Sequence, residues 1–486
     1  MILVRSRGGG RFPEPRITNT FASENRSPMS STAATPGTVT GAFDKTALDR
    51  LLRGREEPSW LVDRRRSAFE RFETTPMPTL RDEEWRRTDI RALRLDQFAP
   101  PAPHEPSEAA REALEPAYRG LDALYGTGIA QVDGVPSKAP DPAKLGGAVF
   151  VDLASAVKEH GELLRDLLMT GAYQPGADAF AALHAAFWTG GVLLYVPKGV
   201  KVETPLFHLI GLSAEGNTDL NHSIVVLEEG AEATLVQETA SGDRGRAPGL
   251  HVGGVELILR KGSRLRFVTI QNWDDATWHF SRERAVVGED AVLQWTVGGL
   301  GSRLAKVNQE VALVGRGARA QVNGVIFTSG RQNLTYLTRQ DHIAPNTTSD
   351  LLYKSGLKGK SRMVWRGMIK VEPDAQQTDA YQKNDNLVLD PEARADSIPG
   401  LEIEANEVRC THGATAGPVD PEMVFYARSR GVDAETATRL IVEGFFADVY
   451  DRISVEPVRD TLALAVAQKL ENGRAPALAP AEAGGI

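Results

Sequence analysis

Cys410 and His412 are the two side chains in this 486-residue sequence whose types and spacing could do chemistry together. Cys410 is the only cysteine of the chain. Thiolate and neutral imidazole are both ligands for soft and borderline metals. Residues two apart on a strand share a face, so an extended backbone here would bring the pair into one small site. Val408, Cys410 and His412 are in phase, whereas Leu401, Ile403 and Ala405 form an apolar set of opposite parity. A turn or bulge near Asn406 and Glu407 must therefore switch the phase. Gly413 and Gly417-Pro418 are expected to end the strand. Two ligands do not close a tetrahedral site. A metal bound by this pair needs further ligands, and a second chain is their natural source. The competing reading of Cys410 is a small buried hydrophobe.

Other candidate motifs fail on spacing. Gly359-Lys360-Ser361 resembles the end of a phosphate-binding loop, but that pattern needs a glycine at the position held by Lys354. Gly298-Gly-Leu-Gly301 lacks the third glycine of a dinucleotide site. The nine histidines are scattered without metal-ligand spacing, and His184, inside an apolar helical pattern, reads as a core residue.

Composition narrows the classes further. The hydrophobic fraction of 41% and charged fraction of 25% are those of a globular protein. A net charge of -8 disfavours nucleic acid and anionic membranes as partners. One cysteine excludes a disulfide framework, and this chain alone cannot build a four-thiolate iron–sulfur or zinc site. No apolar run reaches the roughly 18 residues needed to span a bilayer.

The elements that would position the pair follow from periodicity. Residues 1–41 are rich in Ser, Thr, Pro and Gly and read as a disordered tail or a mis-called start, with Met29 as the alternative first residue. A basic, serine-containing leader also has the character of an organelle transit peptide. Residues 42–190 are mostly helical in pattern, with helices expected over 153–168 and 177–188, the latter closed by Gly190-Gly191. Residues 191–418 are short strand-like segments punctuated by glycine. A turn followed by an alternating strand recurs at Glu229, Lys261, Gly288, Arg316, Lys358 and Pro391. Its markers Gly230, Gly262, Gly288 and Gly317 are 32, 26 and 29 residues apart. That spacing indicates a β-solenoid whose terminal coils need capping, which the flanking helices could supply. Residues 419–472 are helical again, opening on Asp420-Pro421, and residues 473–486 read as a disordered tail. Phe445-Phe446 and the Leu440-Ile441 pair, with Gly444 between them, give the C-terminal helices more apolar surface than two short helices bury alone. Either they pack onto the end of the solenoid or they dock a partner.

Several runs resemble the SufB/SufD family of iron–sulfur cluster assembly scaffolds, its SufD branch most closely. They are Gly367-Met-Ile-Lys-Val, Thr378-Asp-Ala-Tyr-Gln, Asn386-Leu-Val-Leu, Pro399-Gly-Leu-Glu-Ile and Val408-Arg-Cys-Thr-His-Gly-Ala-Thr. The Asp-Glu-Glu-Trp-Arg segment ending at Arg86 and the Gly444-Phe445 helix also look like the family. The resemblance covers roughly residues 43–470. It implies a right-handed parallel β-helix between two helical domains, and a non-enzymatic role. It further implies pairing with a SufB-like paralogue through the β-helix, and with a SufC-like ATPase through the C-terminal helices. A cysteine desulfurase system would deliver sulfide and a reduced flavin could supply electrons. His412 then corresponds to the SufD histidine at the SufB interface, and Cys410 to its neighbouring cysteine, around a transient cluster that this chain does not hold alone. The SufB-type cysteine falls near Asn384, where no thiol stands, and SufB carries an acidic-His-acidic run in place of Cys410-Thr411-His412. Both departures favour SufD. The resemblance places the chain in the bacterial cytoplasm, or in a plastid if the leader is a transit peptide, and allows a homodimer without SufB. The alternative is a carbohydrate-active β-helix lyase or hydrolase, which needs stacked acids; Asp341, Asp350 and Asp385 are the candidates.

Overall fold

A computed structural model describes residues 42–100, 107–213, 217–242 and 247–472. The tails read over 1–41 and 473–486, with Met29 and the leader, lie outside the described residues.

The core is a solenoid of two sheets that are parallel except for one antiparallel strand at the first edge of each, Val135–Lys138 and Val149–Asp152. One runs in the order of strands Val135–Lys138, Thr127–Val132, Leu206–Leu212, Glu232–Ser241, Arg264–Asn272, Val292–Gly299, Arg319–Thr328, Thr348–Leu357, Asp379–Val388 and Arg409–Pro418. The other starts at Val149–Asp152 and Gly190–Val196, continues through alternate strands, and ends at Arg362–Val371 and Arg394–Ile403. The chain crosses from sheet to sheet at every half coil. Glu232, Arg264, Val292, Arg319, Thr348, Asp379 and Arg409 therefore stack in register up one sheet. Each coil buries its inner face only against its neighbours.

Glycine turns set the register, with one substitution. Gly230, Gly262 and Gly317 have φ of 69°, 64° and 73°, the left-handed conformation that costs glycine nothing. At the third turn that role passes from Gly288 to Asp290, φ 52°. Gly288 is instead required by close approach, since a Cβ there would sit 2.7 Å from the Leu259 carbonyl oxygen. The turns at Lys358 and Pro391 precede strands of the other sheet, so the six sequence repeats combine two rows of corners.

Several expectations are corrected. Among the described residues the region 42–190 contains three strands before Gly190, and Thr127–Val132 pairs in parallel with Leu206–Leu212 as part of the solenoid. Its six residues are all buried, so no alternation marks it. The helix expected over 153–168 is two, Leu153–Glu159 and Gly161–Leu167, interrupted at His160. Gly190 and Gly191 open a strand rather than close a helix, and a Cβ on Gly191 would lie 1.7 Å from the His222 carbonyl oxygen.

The helices cover the solenoid unevenly. Helices Ser59–Thr74 and Ala179–Phe187 pack together on the outer face of one sheet, where Phe69, Phe180 and Phe187 join Val252, Trp278 and Phe280. At the other end of the chain, helices Ala434–Tyr450 and Glu456–Asn472 lie along the outer face of the second sheet. There Val442, Phe446, Val449 and Leu462 are buried with Val325, Phe327 and Leu352. Lys354 Nζ donates to the Phe445 carbonyl at 2.7 Å and pairs with Asp448 at 2.8 Å, fixing the first of these helices. The C-terminal helices thus bury their apolar face on the flank of the solenoid, not on its end. The last coil is left without a cap among the described residues.

Candidate functional site

The last strand runs from Arg409 to Pro418, so Gly413 lies inside it and the strand continues to Pro418. Small residues are tolerated there because no inner layer has to be filled beyond it. The phase switch expected at Asn406 and Glu407 is the corner between the two sheets: the Gln377 amide donates to the Glu407 carbonyl and the Glu407 amide to Gln376 Oε1.

Cys410 stands beside Ala380, and His412 beside Gln382, in the parallel register. Ala380, Gln382 and Asn384 are buried and face the interior. Cys410 and His412 therefore share the inward parity, but no further coil lies over them, and His412 is exposed. Cys410 is half-buried against Ile369, Val371, Ala375, Ala380 and Ala405. That burial, with the nearby Asp379 carboxylate, pushes its thiol up to about 11. At neutral pH the sulfur is protonated and is neither a nucleophile nor a metal ligand until something displaces the proton. Among the described residues no group of three or more His, Cys, Asp or Glu side chains is placed to hold a metal.

The coil beneath is a polar layer. Asn384 Nδ2 donates to the Tyr353 carbonyl at 3.3 Å, while its Oδ1 accepts from Asn386 at 2.8 Å and from Ser397 at 2.5 Å. Gln382 donates to the Gly400 carbonyl at 2.9 Å. Strands Arg394–Ile403 and Arg409–Pro418 each pair on one side only, with Arg362–Val371 and Asp379–Val388 respectively. Leu401 and Ile403 are 36% and 41% exposed, large apolar side chains at an open edge.

The docking residues read from the sequence are not equivalent. Leu440 is exposed, and a Cβ added at Gly444 would meet open space. Ile441 and Phe445 are partly covered, Phe445 by its edge-on contact with Phe446 and by Lys354 4.9 Å over its ring. Helix Pro421–Ser429, which follows the last strand, buries none of its residues and exposes Met423, Phe425 and Tyr426. The sequence reading missed these three, although their clustering on a nine-residue helix was available as a signal.

The other candidates disperse. Gly359-Lys360-Ser361 is a turn into a strand, not a helix N-terminus, and Lys360 pairs with Glu392. Asp341, Asp350 and Asp385 are bound to Arg339, Arg452 and Lys383 and do not stack in register. The scattered histidines, in contrast, are brought together. His184 and His222 are 3.0 Å apart, and His251 stacks on His279 with centroids 4.6 Å apart. Burial drives His251 down to about 3 and its partner Asp219, 2.6 Å away, up to about 8, so this contact is between neutral groups.

Comparison with known proteins agrees with this architecture. Residues 210–445 match the core domain of SufBD proteins of the SUF system for FeS cluster assembly, and residues 51–207 match the SufBD protein N-terminal region. This chain belongs to the SufBD family. It is 30% identical over 425 residues to the iron-sulfur cluster assembly protein SufB of Bacillus subtilis, covering 85% of this chain and 90% of that one. It is also 30% identical over 421 residues to an iron-sulfur cluster assembly SufBD family protein of Staphylococcus epidermidis, covering 83% and 88%. A Staphylococcus aureus SufBD family protein is 29% identical over 418 residues. As a member of the SufBD family the chain is an iron–sulfur assembly scaffold component. Among its described residues no helix is long and apolar enough to cross a membrane.

Proposed function

We propose that this chain is the SufD-like subunit of a SufBCD-type assembly complex, and that its uncapped last coil pairs edge to edge with a cysteine-bearing SufB-like paralogue. The observation that carries the reading is His412, exposed on an inward-facing row at an open edge, with no thiolate at Asn384 to complete a cluster site. The nascent iron–sulfur cluster is cargo shared across the interface: His412 faces it from this side, Cys410 stands beside, and the paralogue supplies the thiolate. A SufC-like ATPase docks on the C-terminal helices at Leu440, Ile441, Gly444 and Phe445. Sulfide comes from a cysteine desulfurase system, and the complex works in the bacterial cytoplasm. Without the paralogue the same edges can pair two copies of this chain.

Co-expression with SufB- and SufC-like chains should give one assembly. His412→Ala should reduce cluster yield in that assembly while leaving its mass and ATPase activity unchanged. Undiminished cluster yield would remove His412 from the site; loss of the assembly itself would make the residue structural. A chain that stays monomeric with both partners present would refute the SufD-like assignment.

A further inference from the structure

Far from the open edge in sequence, a cavity of about 500 Å³ lies between helix Ser59–Thr74 and the loop 168–177. That is within the range of small-molecule pockets, roughly 300–1,000 Å³. Leu61, Arg64, Ala68 and Arg71 recur at the spacing of one helical face. Leu61, Ala68, Met169 and Tyr173 make an apolar lining, with Arg64 and Arg71 among the polar groups. No Asp or Glu lines the cavity, on a chain whose net charge is -8.

The two arginines differ. Arg64 donates to the carbonyls of Leu168 and Arg165 at 2.9 and 2.5 Å and stacks over Trp60, so it is fixed in place. Arg71 is exposed and has no hydrogen bond or ion pair through its guanidinium among the described residues. One cation is anchored and the other is available.

The facing loop is held rigid from below. Buried Glu256 accepts the Met169 amide at 2.7 Å and the Tyr173 amide at 2.9 Å, one on each carboxylate oxygen. His222 Nε2 lies 2.9 Å from the same carboxylate, and His184 lies 3.0 Å from His222 Nδ1 and 2.7 Å from the Val252 carbonyl. A carbonyl can only accept, so His184 Nδ1 donates to it and His184 Nε2 accepts from His222. The His222–Glu256 contact then carries one proton shared between His222 Nε2 and Glu256 Oε1, which continues the hydrogen-bonded chain to the carboxylate. Met169 is held in the left-handed region at φ 54°, a conformation that persists only where its surroundings impose it. A fully buried hydrogen-bonded chain and a strained non-glycine residue thus fix the wall of a solvent-open cavity, as a preorganised binding loop requires.

We infer that this cavity is a binding site for a small amphipathic anion, its apolar body against Leu61, Ala68 and Met169 and its phosphate or carboxylate head on Arg71 beside Arg64. The site does not depend on the SufD-like reading, because none of its residues lies on the last coil. Isothermal titration of the full chain with 1-naphthyl phosphate, 1-naphthoate and neutral 1-naphthylmethanol tests it. At least one of the two anions should bind saturably at one site, and which one binds identifies the head group. The alcohol should bind at least tenfold more weakly, and Arg71→Glu should weaken the anion at least tenfold with the melting temperature unchanged. No saturable binding of either anion overturns the inference, as does equal affinity in the Arg71→Glu protein or equal affinity for the alcohol.

Discussion

Replacing Glu283 by Gln should stabilise this protein at pH 8 far more than at pH 5. Glu283 points into the solenoid from strand Thr277–Val287, lining a cavity of about 30 Å³ with His251, Gln271, His279, Ser281 and Tyr336. Its Oε1 accepts from Ser281 at 3.0 Å, and its Oε2 is buried without a partner among the described residues. Burial pushes the carboxyl from 4.5 up to about 7, because no cation stands near enough to offset desolvation of the charged form. The folded state therefore holds its proton to higher pH than the unfolded chain does. Stability from this group is fully present below pH 4.5 and is lost as pH rises to about 7. At 1.36 kcal/mol per unit the loss is about 1 kcal/mol at pH 5 and about 3 kcal/mol at pH 8. Glutamine keeps the shape and the acceptor for Ser281 but carries no proton to lose. With an unfolding entropy of about 2.1 cal/mol/K per residue, cooperative unfolding of this core converts 3 kcal/mol into a rise of about 4 °C. Thermal unfolding of both proteins from pH 5 to 8.5 at fixed ionic strength reads it directly. Asp219 titrates over an overlapping range in both proteins and cancels. A Glu283→Gln increment that is independent of pH, or a lower melting temperature at pH 8, would refute the reasoning.

Two further perturbations address the site and the docked helices. The Cys410 thiol, held at about 11, should react with iodoacetamide at pH 7.5 on the order of a hundredfold more slowly than an ordinary thiol, with the rate still rising at pH 10; a plateau below pH 9 would show that the thiolate forms freely. Lys354→Met keeps the buried stem but loses the bonds to the Phe445 carbonyl and Asp448, a loosening of about 1–3 kcal/mol. Amide exchange in helix Ala434–Tyr450 should accelerate in that variant while the solenoid strands are unchanged; unchanged exchange in the helix would mean that Phe446 and Val449 alone hold it.

Much of the solenoid is legible in the sequence because its corners repeat a glycine turn before an alternating strand. The reading weakens where the interior turns polar. Strand Asn333–His342 puts Leu334, Tyr336, Thr338, Gln340 and His342 on one parity, and only its first two residues look like a core. Gln237, Thr269 and Gln271 likewise face inward, so apolar alternation fades along half of each coil. Periodicity also identifies an amphipathic helix without saying which surface receives it, so the sequence offers Phe446 the end of the solenoid or a partner and not the flank on which it is buried. The common face of Cys410 and His412 follows from spacing alone. Their unequal exposure does not, since it depends on their strand being the last.

That last position is what gives the pair its meaning. Strands at an open edge carry unpaired amides and carbonyls that invite another chain, and monomeric proteins blunt such edges with charge, proline or a covering element. Here the C-terminal helices are spent on the flank, Leu401 and Ile403 stay exposed, and Gly413, Ala414, Ala416 and Gly417 offer little side chain to keep a second backbone away. A cap of this chain's own would have buried His412 as the coils below bury Gln382. An edge left for a partner keeps the histidine at the seam, where it can face ligands from both chains. A cysteine held protonated and a histidine held accessible, neither sufficient alone, are what the proposed pairing with a cysteine-bearing paralogue would require of this side.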